Sequence, residues 1–267
     1  MDLAALFAAL LMGVVEGLTE FLPISSTGHL ILLGELIGFK GPPGRVFEIA
    51  IQLGAILAVV VVFRGDLLRI LRGMWTPRTA ERYVAESLVL AFLPAAVIGA
   101  TLHGTITRLL FSPLVVAIAL VLGGLVILLI ERRPREPTMR SVAEIGPTSA
   151  LLIGLGQALA MIPGTSRSGA TIITALLLGV ERRAAAEFSF LLAIPTMLAA
   201  TAYALWKSRN DLDVSGFGQI LLGFGVAFVV ALLVVRWLLS AISRIGFTPF
   251  GWYRIALGGA ILVALLV

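Results

Sequence analysis

Apolar residues run in blocks along this chain; they do not alternate with polar ones. Six blocks are long enough to cross a bilayer as helices: about 46–63, 84–102, 113–130, 184–205, 217–239 and 250–267. A spanning helix needs about 20 predominantly apolar residues. Four further segments, 3–22, 26–38, 148–162 and 167–180, are shorter, more polar or broken by proline. They fall in adjacent pairs, joined by Pro23-Ile24-Ser25-Ser26-Thr27 and by Pro163-Gly164-Thr165-Ser166-Arg167. Neither pair can cross and return as two full spans, so each is expected to form a re-entrant helical hairpin. Irregular backbone at that depth is tolerated only where protein buries it or a cavity faces it.

The pattern occurs twice. A hairpin (3–38) and three spans make up 1–131, and a charged linker covers 132–147. A second hairpin (148–180) and three more spans complete 148–267. Glu48 follows Pro23 by 25 positions and Glu187 follows Pro163 by 24, each beside a phenylalanine. A hairpin adds no crossing and three is odd, so the second half enters the membrane inverted. The expected fold is an all-α integral membrane protein. Six transmembrane helices and two re-entrant hairpins form an inverted-topology repeat within one membrane domain, with the site at the repeat interface.

Composition agrees: 59% of residues are hydrophobic, 13% are charged and the mean hydropathy is +1.06. Soluble domains carry about 25% charged residues. Without ~10-residue segments of alternating polarity, a β-barrel is not expected. The pI near 10.4 does not point to nucleic acid, because the basic residues lie in short loops between apolar blocks. No cysteine is present, which excludes structural disulfides and thiolate chemistry. Met1-Asp2-Leu3 lacks the basic start of a cleaved signal peptide, so the first apolar segment is expected in the mature chain.

Arginine sets the expected orientation. Arg64, Arg69, Arg72, Arg78 and Arg82 fall in one loop and Arg132, Arg133, Arg135 and Arg140 in another, with Arg182, Arg183 and Arg244 on the same side. Lys40, Arg45, Arg108, Lys207 and Arg209 fall on the opposite side. The richer side is cytoplasmic by the positive-inside rule, which leaves both termini outside.

Chemistry concentrates at the two breaks. Glu16 and Glu20 share one helix face, an arrangement suited to general acid/base work or to a divalent metal. Pro23 ends that helix, Ser25, Ser26 or Thr27 can cap the next, and His29 falls in its first turn. At the second break Thr165 or Ser166 can cap, beside Ser168, Thr171 and the permanent cation Arg167. Two helix N-termini and an arginine make an anion site, and a phosphate is a fitting occupant. Plainer readings compete: hydroxyls bonding their own backbone, His29 as a packing residue, the two glutamates lining a vestibule, and Arg167 pairing only with Glu48 or Glu187. Glu35, Glu86 and His103 read as interfacial, and Gln52 as packing.

"EGLTEFLPISSTGHL" (16–30) together with "PGTSRSGATI" closely resembles the undecaprenyl-diphosphate phosphatases of the bacitracin-resistance family. "FEIAIQLGAILAVVV", "EFSFLLAIP" and "FTPFGWYRIALGG" extend the resemblance over nearly the whole chain. Position 165, threonine here, is one where that family varies. The resemblance implies hydrolysis of a polyprenyl diphosphate lipid carrier to its monophosphate for peptidoglycan synthesis, and with it bacitracin resistance. It implies the bacterial plasma (inner) membrane, a site open to the outer face and a divalent cation, Mg²⁺ or Ca²⁺. A homodimer is compatible with it, and nucleic acid is not a partner.

Carried over, Glu16 and Glu20 become metal ligands or acid/base groups, Ser26 or His29 the nucleophile, and Arg167 the diphosphate clamp. Ser25, Thr27, Ser166, Ser168 and Thr171 would bond phosphate oxygens. Ser26 with His29 or Glu20 as its base is favoured, with His29 itself or water as the other attackers. A lipid flippase or ion-coupled transporter is the rival reading, since inverted repeats with broken helices suit alternating access.

Overall fold

The structure is a computed structural model describing residues 3–39, 46–110, 112–132, 136–207, 209 and 216–266; the side chains of 103–109 fall outside that description. The expected loop cations Lys40, Arg45, Arg133 and Arg135, and the side chains of His103 and Arg108, therefore lie outside the described residues. Eleven α-helices are described: α1 (Leu3–Thr19), α2 (Ser26–Ile37), α3 (Val46–Val62), α4 (Arg64–Gly73), α5 (Ala80–Leu110) and α6 (Pro113–Glu131), then α7 (Pro147–Ala158), α8 (Arg167–Leu177), α9 (Arg182–Lys207), α10 (Phe217–Ile245) and α11 (Thr248–Ala264). Among the described residues there is no strand, only an isolated bridge between Met139 and Val180.

Four helices are long and apolar enough to cross a membrane: Ala80–Leu102 within α5, then α6, α9 and α10. The α3–α4 pair would make a fifth, but it bends by 73°. That is four or five spans where the apolar blocks predict six. The block at 46–63 ends at Phe63, where α4 begins with the charged sequence Arg64-Gly65-Asp66 and turns aside. The block at 250–267 forms α11, a 17-residue helix shorter than those four.

α7 and α8 form a hairpin that returns to its starting end. After α8, Gly179 accepts from the Thr138 and Met139 amides (2.9 and 3.2 Å), and Glu181 N–H donates to Met139 (2.8 Å). These contacts tie the end of α8 to the linker that leads into α7. At 12 and 11 residues, about 18 and 17 Å, neither helix could cross hydrocarbon. In the linker, Glu144 accepts from the Arg140 amide and the Ser141 hydroxyl, both at 2.9 Å. The Arg140 amide first, then the Ser141 hydroxyl, hold its carboxyl below the ordinary value.

The two halves of the chain interdigitate. The closest-packed pairs join a first-half helix to a second-half one: α3 and α1 on α10, α6 on α11, α5 on α7. Small residues permit the approach. A Cβ at Gly13 would stand 2.7 Å from the Gly223 carbonyl, and one at Gly258 2.7 Å from that of Ala117. In lipid, where apolar faces gain little by meeting, such close backbone packing is what holds helices together. Across the halves, Arg182 at the start of α9 forms a two-pronged ion pair with Glu131 at the end of α6, both contacts 3.0 Å. The largest core cluster includes Phe21, Phe63, Phe188 and Phe190.

Candidate active site

The breaks between α1 and α2 and between α7 and α8 meet inside the bundle. Ser168 of the second donates to the Leu22 carbonyl of the first (2.8 Å). The deeper fastener is Arg254 of α11, wholly buried. Its Nη1 donates to Pro23 O (3.1 Å) and Thr165 O (2.9 Å), and its Nη2 to Gly164 O and Ala119 O (both 3.0 Å). Its Nε reaches Leu120 O at 3.3 Å. One guanidinium thus joins both hairpin tips to α6 through five carbonyls. No carboxylate lies within ion-pair reach of it among the described residues.

Each tip holds a serine in the left-handed region: Ser25 at φ 73° before α2 and Ser166 at φ 73° before α8. Such backbone costs about 1–3 kcal/mol per residue and persists where surrounding structure enforces it, often at functional sites. Aligning these serines, 141 positions apart, places Phe47 against Phe188, both fully buried, and Glu48 against Ser189. That register differs from the pairing of Glu48 with Glu187 suggested by the prolines. Glu187 instead pairs with Arg183 at 2.9 Å, on the surface.

Glu20 is the hub. Its Oε1 accepts from Arg167 Nη2 at 2.9 Å, and its Oε2 takes a short hydrogen bond from the Ser26 hydroxyl. Glu20 and Ser26 are both buried, and the Arg167 side chain is 13% exposed. So the cation that the plainer reading assigned to Glu48 or Glu187 binds Glu20, from 147 positions away. Arg167 also donates Nη1 to Ser189 O (3.1 Å), lies 5.5 Å from the Phe21 ring centre, and leaves a buried Nε without a partner. Glu16, one turn before Glu20, is buried at 2% exposure, and its side chain makes no hydrogen bond or ion pair among the described residues.

The expected hydroxyls divide. Ser166 caps α8 by accepting from Gly169 N–H (3.1 Å) and lies 3.0 Å from Ser168 Oγ. Thr171 lies 2.6 Å from Ser189 Oγ and bonds its own helix at the Arg167 and Ser168 carbonyls, as the plainer reading has it. Ser25 is buried and makes no side-chain cap. Thr27 is exposed and stands apart from the Glu20 cluster.

His29 faces elsewhere. Its Nδ1 meets the Ser25 carbonyl at 2.7 Å and its Nε2 the Tyr253 hydroxyl at 2.7 Å. Of the two bases considered for Ser26, the structure therefore joins the serine to Glu20 and not to His29. Tyr253 and Arg254 were not among the candidate site residues. The signal was present, an arginine within a predicted span, where a charge is costly enough to imply a purpose.

The arrangement can hold and cleave a phosphate ester or anhydride. The N-termini of α2 and α8 converge, Arg167 offers a planar fork, and the Ser26 hydroxyl is bonded to a carboxylate, the pairing that activates a serine for attack. The profile of the family described as bacitracin resistance protein BacA matches residues 9–260. The chain belongs to the BacA family. This BacA-family chain is 54% identical over 259 residues to undecaprenyl-diphosphatase 2 of Paramagnetospirillum magneticum, covering 97% of this chain and 98% of that protein. It is 53% identical over 263 residues to an undecaprenyl-diphosphatase of Rhizorhabdus wittichii, covering 98% of each. With undecaprenyl-diphosphatase 1 of Agrobacterium fabrum it shares 50% identity over 264 residues, again 98% of each. Family and apolar helices together make it a multi-pass membrane protein.

Proposed function

We propose that this chain hydrolyses undecaprenyl diphosphate to the monophosphate and phosphate, recycling the lipid carrier of peptidoglycan precursors and so conferring bacitracin resistance. The observation that carries the reading is the buried chain Arg167–Glu20–Ser26 at the meeting of two helix N-termini. The diphosphate seats against those N-termini with Arg167 on its oxygens, while the prenyl tail stays in lipid. Ser26 Oγ attacks the terminal phosphorus and gives its proton to Glu20. The bond to the bridging oxygen breaks, and polyprenyl monophosphate leaves. Water, deprotonated by a carboxylate of the site, then frees phosphate from the serine. Phosphoryl transfer rewards positioning and charge stabilisation above all, and these groups supply both.

A divalent cation fits beside them. Among the described residues no three histidine or acidic side chains cluster as a complete metal cage. Glu16, buried and unpartnered, together with Glu20 offers the one or two carboxylates with which Mg²⁺ is held when phosphate oxygens complete its shell. When bound, the cation would neutralise charge developing on the diphosphate. The same reading places the chain in the bacterial plasma membrane, with the arginine-rich loops cytoplasmic, both hairpins re-entrant, six spans once α11 is counted, and the site open to the outer face. The transporter reading rests on the paired hairpins and on an intramembrane histidine and glutamate set, and the relatives bear the names of hydrolases.

Purified protein in detergent given farnesyl and undecaprenyl diphosphates tests this. Phosphate release that a chelator suppresses and that Ser26→Ala abolishes is the expected result. Ser26→Ala retaining a tenth of wild-type turnover removes the serine as nucleophile, because losing one transition-state donor costs about 10²–10³. Wild-type protein that releases no phosphate overturns the reading as a whole.

A further inference from the structure

We propose that Tyr253 is the positioning residue of His29, fixing the neutral imidazole with its proton on Nδ1 and its Nε2 lone pair accepting from the Tyr253 hydroxyl. The proposal rests on the phosphatase reading insofar as it makes His29 a working group; the pairing itself rests on geometry.

The Ser25 carbonyl, 2.7 Å from Nδ1, can only accept, so in a neutral ring Nδ1 carries the proton. Nε2 is left with a lone pair, and the Tyr253 hydroxyl 2.7 Å away is its donor. Which nitrogen of a histidine works is set by what the other one bonds, and here both bonds are defined. The two rings lie nearly parallel, 6° apart with centres 5.6 Å apart, which limits tilt of the imidazole. Ser25 at φ 73° is the strained residue of the first tip, and its carbonyl also receives the His29 amide at 3.4 Å.

The support beneath Tyr253 is equally defined. Its neighbour Arg254 is locked to the Pro23 carbonyl of the same tip. The helix that presents the hydroxyl is therefore held in register with the loop that presents the histidine. Tyr253 is 45% exposed, whereas Glu20 and Ser26 are buried, so the pair lies nearer the surface than the serine. The two systems carry separate tasks. Glu20 takes the Ser26 proton, and His29 is held by Tyr253 at the more exposed position beside the same tip.

The chain contains two histidines, which makes the test direct. His103→Asn leaves His29 as the one imidazole, and nitrogen-15 NMR of the full chain in lipid nanodiscs at pH 8 reads its tautomer. The expected spectrum shows a protonated Nδ1 and an unprotonated, hydrogen-bonded Nε2. Tyr253→Phe keeps the stacked ring and removes only the hydroxyl. It should move the Nε2 resonance to its unbonded position and lower kcat about tenfold, the cost typical of losing an outer partner, with KM within about twofold. A proton on Nε2 in the parent, an Nε2 resonance unmoved by Tyr253→Phe, or an unchanged kcat overturns the proposal. A parent that shows this tautomer yet releases no phosphate counts against the phosphatase reading and leaves the tyrosine–histidine pairing standing.

Discussion

The two hairpin tips share a backbone and divide the chemistry. Both place a serine at φ 73° immediately before a helix, both follow it three positions later with a glycine, Gly28 or Gly169, and both lend carbonyls to Arg254. In that register Ser26 lies opposite Arg167, and Glu16 lies opposite Gln157, a buried amide whose Nε2 has no partner. One tip carries acids and the Ser26 hydroxyl bonded to one of them, and the other a cation and hydroxyls. The lesson is that a pair of crossed helix starts makes an anion cradle by geometry alone. Reactivity then comes from making the two starts unlike each other.

The sharpest way to break this comparison is to remove the acid from the first tip. Glu20→Gln keeps size and hydrogen-bonding capacity but ends proton acceptance and the ion pair with Arg167. Turnover should fall about 10²–10⁴-fold, the usual worth of a positioned acid or base. Activity within tenfold of the parent would show that Glu20 serves only as the cation's counter-charge. Next comes the second tip. Arg167→Lys retains the charge yet cannot reach Glu20, the Ser189 carbonyl and a phosphate in one plane, so kcat/KM should fall about 10²-fold. Full activity would mean that a point charge suffices there.

The smallest effect sharpens the likeness between the tips. Ser25→Gly and Ser166→Gly each relieve a left-handed serine, worth about 1–3 kcal/mol against the unfolded-chain entropy that glycine adds. Ser25 makes no cap, so Ser25→Gly should raise the melting temperature. Ser166→Gly also loses the bond from the Gly169 amide and should leave it nearly unchanged. Equal shifts in the two variants would show that the cap contributes nothing.

Much of this was legible because polar groups in an apolar chain announce themselves. The helices α5, α6, α9 and α10, both helix breaks, and the Glu20–Ser26–Arg167 residue types all follow from where charge and proline interrupt hydrophobic runs. Partnerships were not legible. Nothing along the chain says that Arg167 meets Glu20 and not Glu48, because hairpin tips 141 positions apart in the sequence must first be brought together. Glu48 keeps a buried, unpartnered Oε2. Tyr253 and Arg254 escaped notice because Tyr and Arg near the start of an apolar run ordinarily anchor a helix at the lipid–water boundary. Only the fold turns Arg254 inward. The bend after Phe63 was hidden for a related reason: hydropathy reports how long a run is, not whether its end lies down.

The position of α11 in the chain has a consequence for biosynthesis. Both tips are complete in sequence once Thr171 has been made, yet the guanidinium that fastens them and the hydroxyl that bonds His29 arrive only with α11, more than seventy positions later. α1 and α3 likewise wait for α10. A nascent or prematurely terminated chain therefore carries every acid, serine and arginine of the Glu20 cluster without an assembled centre. Assembly of the centre waits for α11, and a chain ending before Thr248 should insert in the membrane but remain inert.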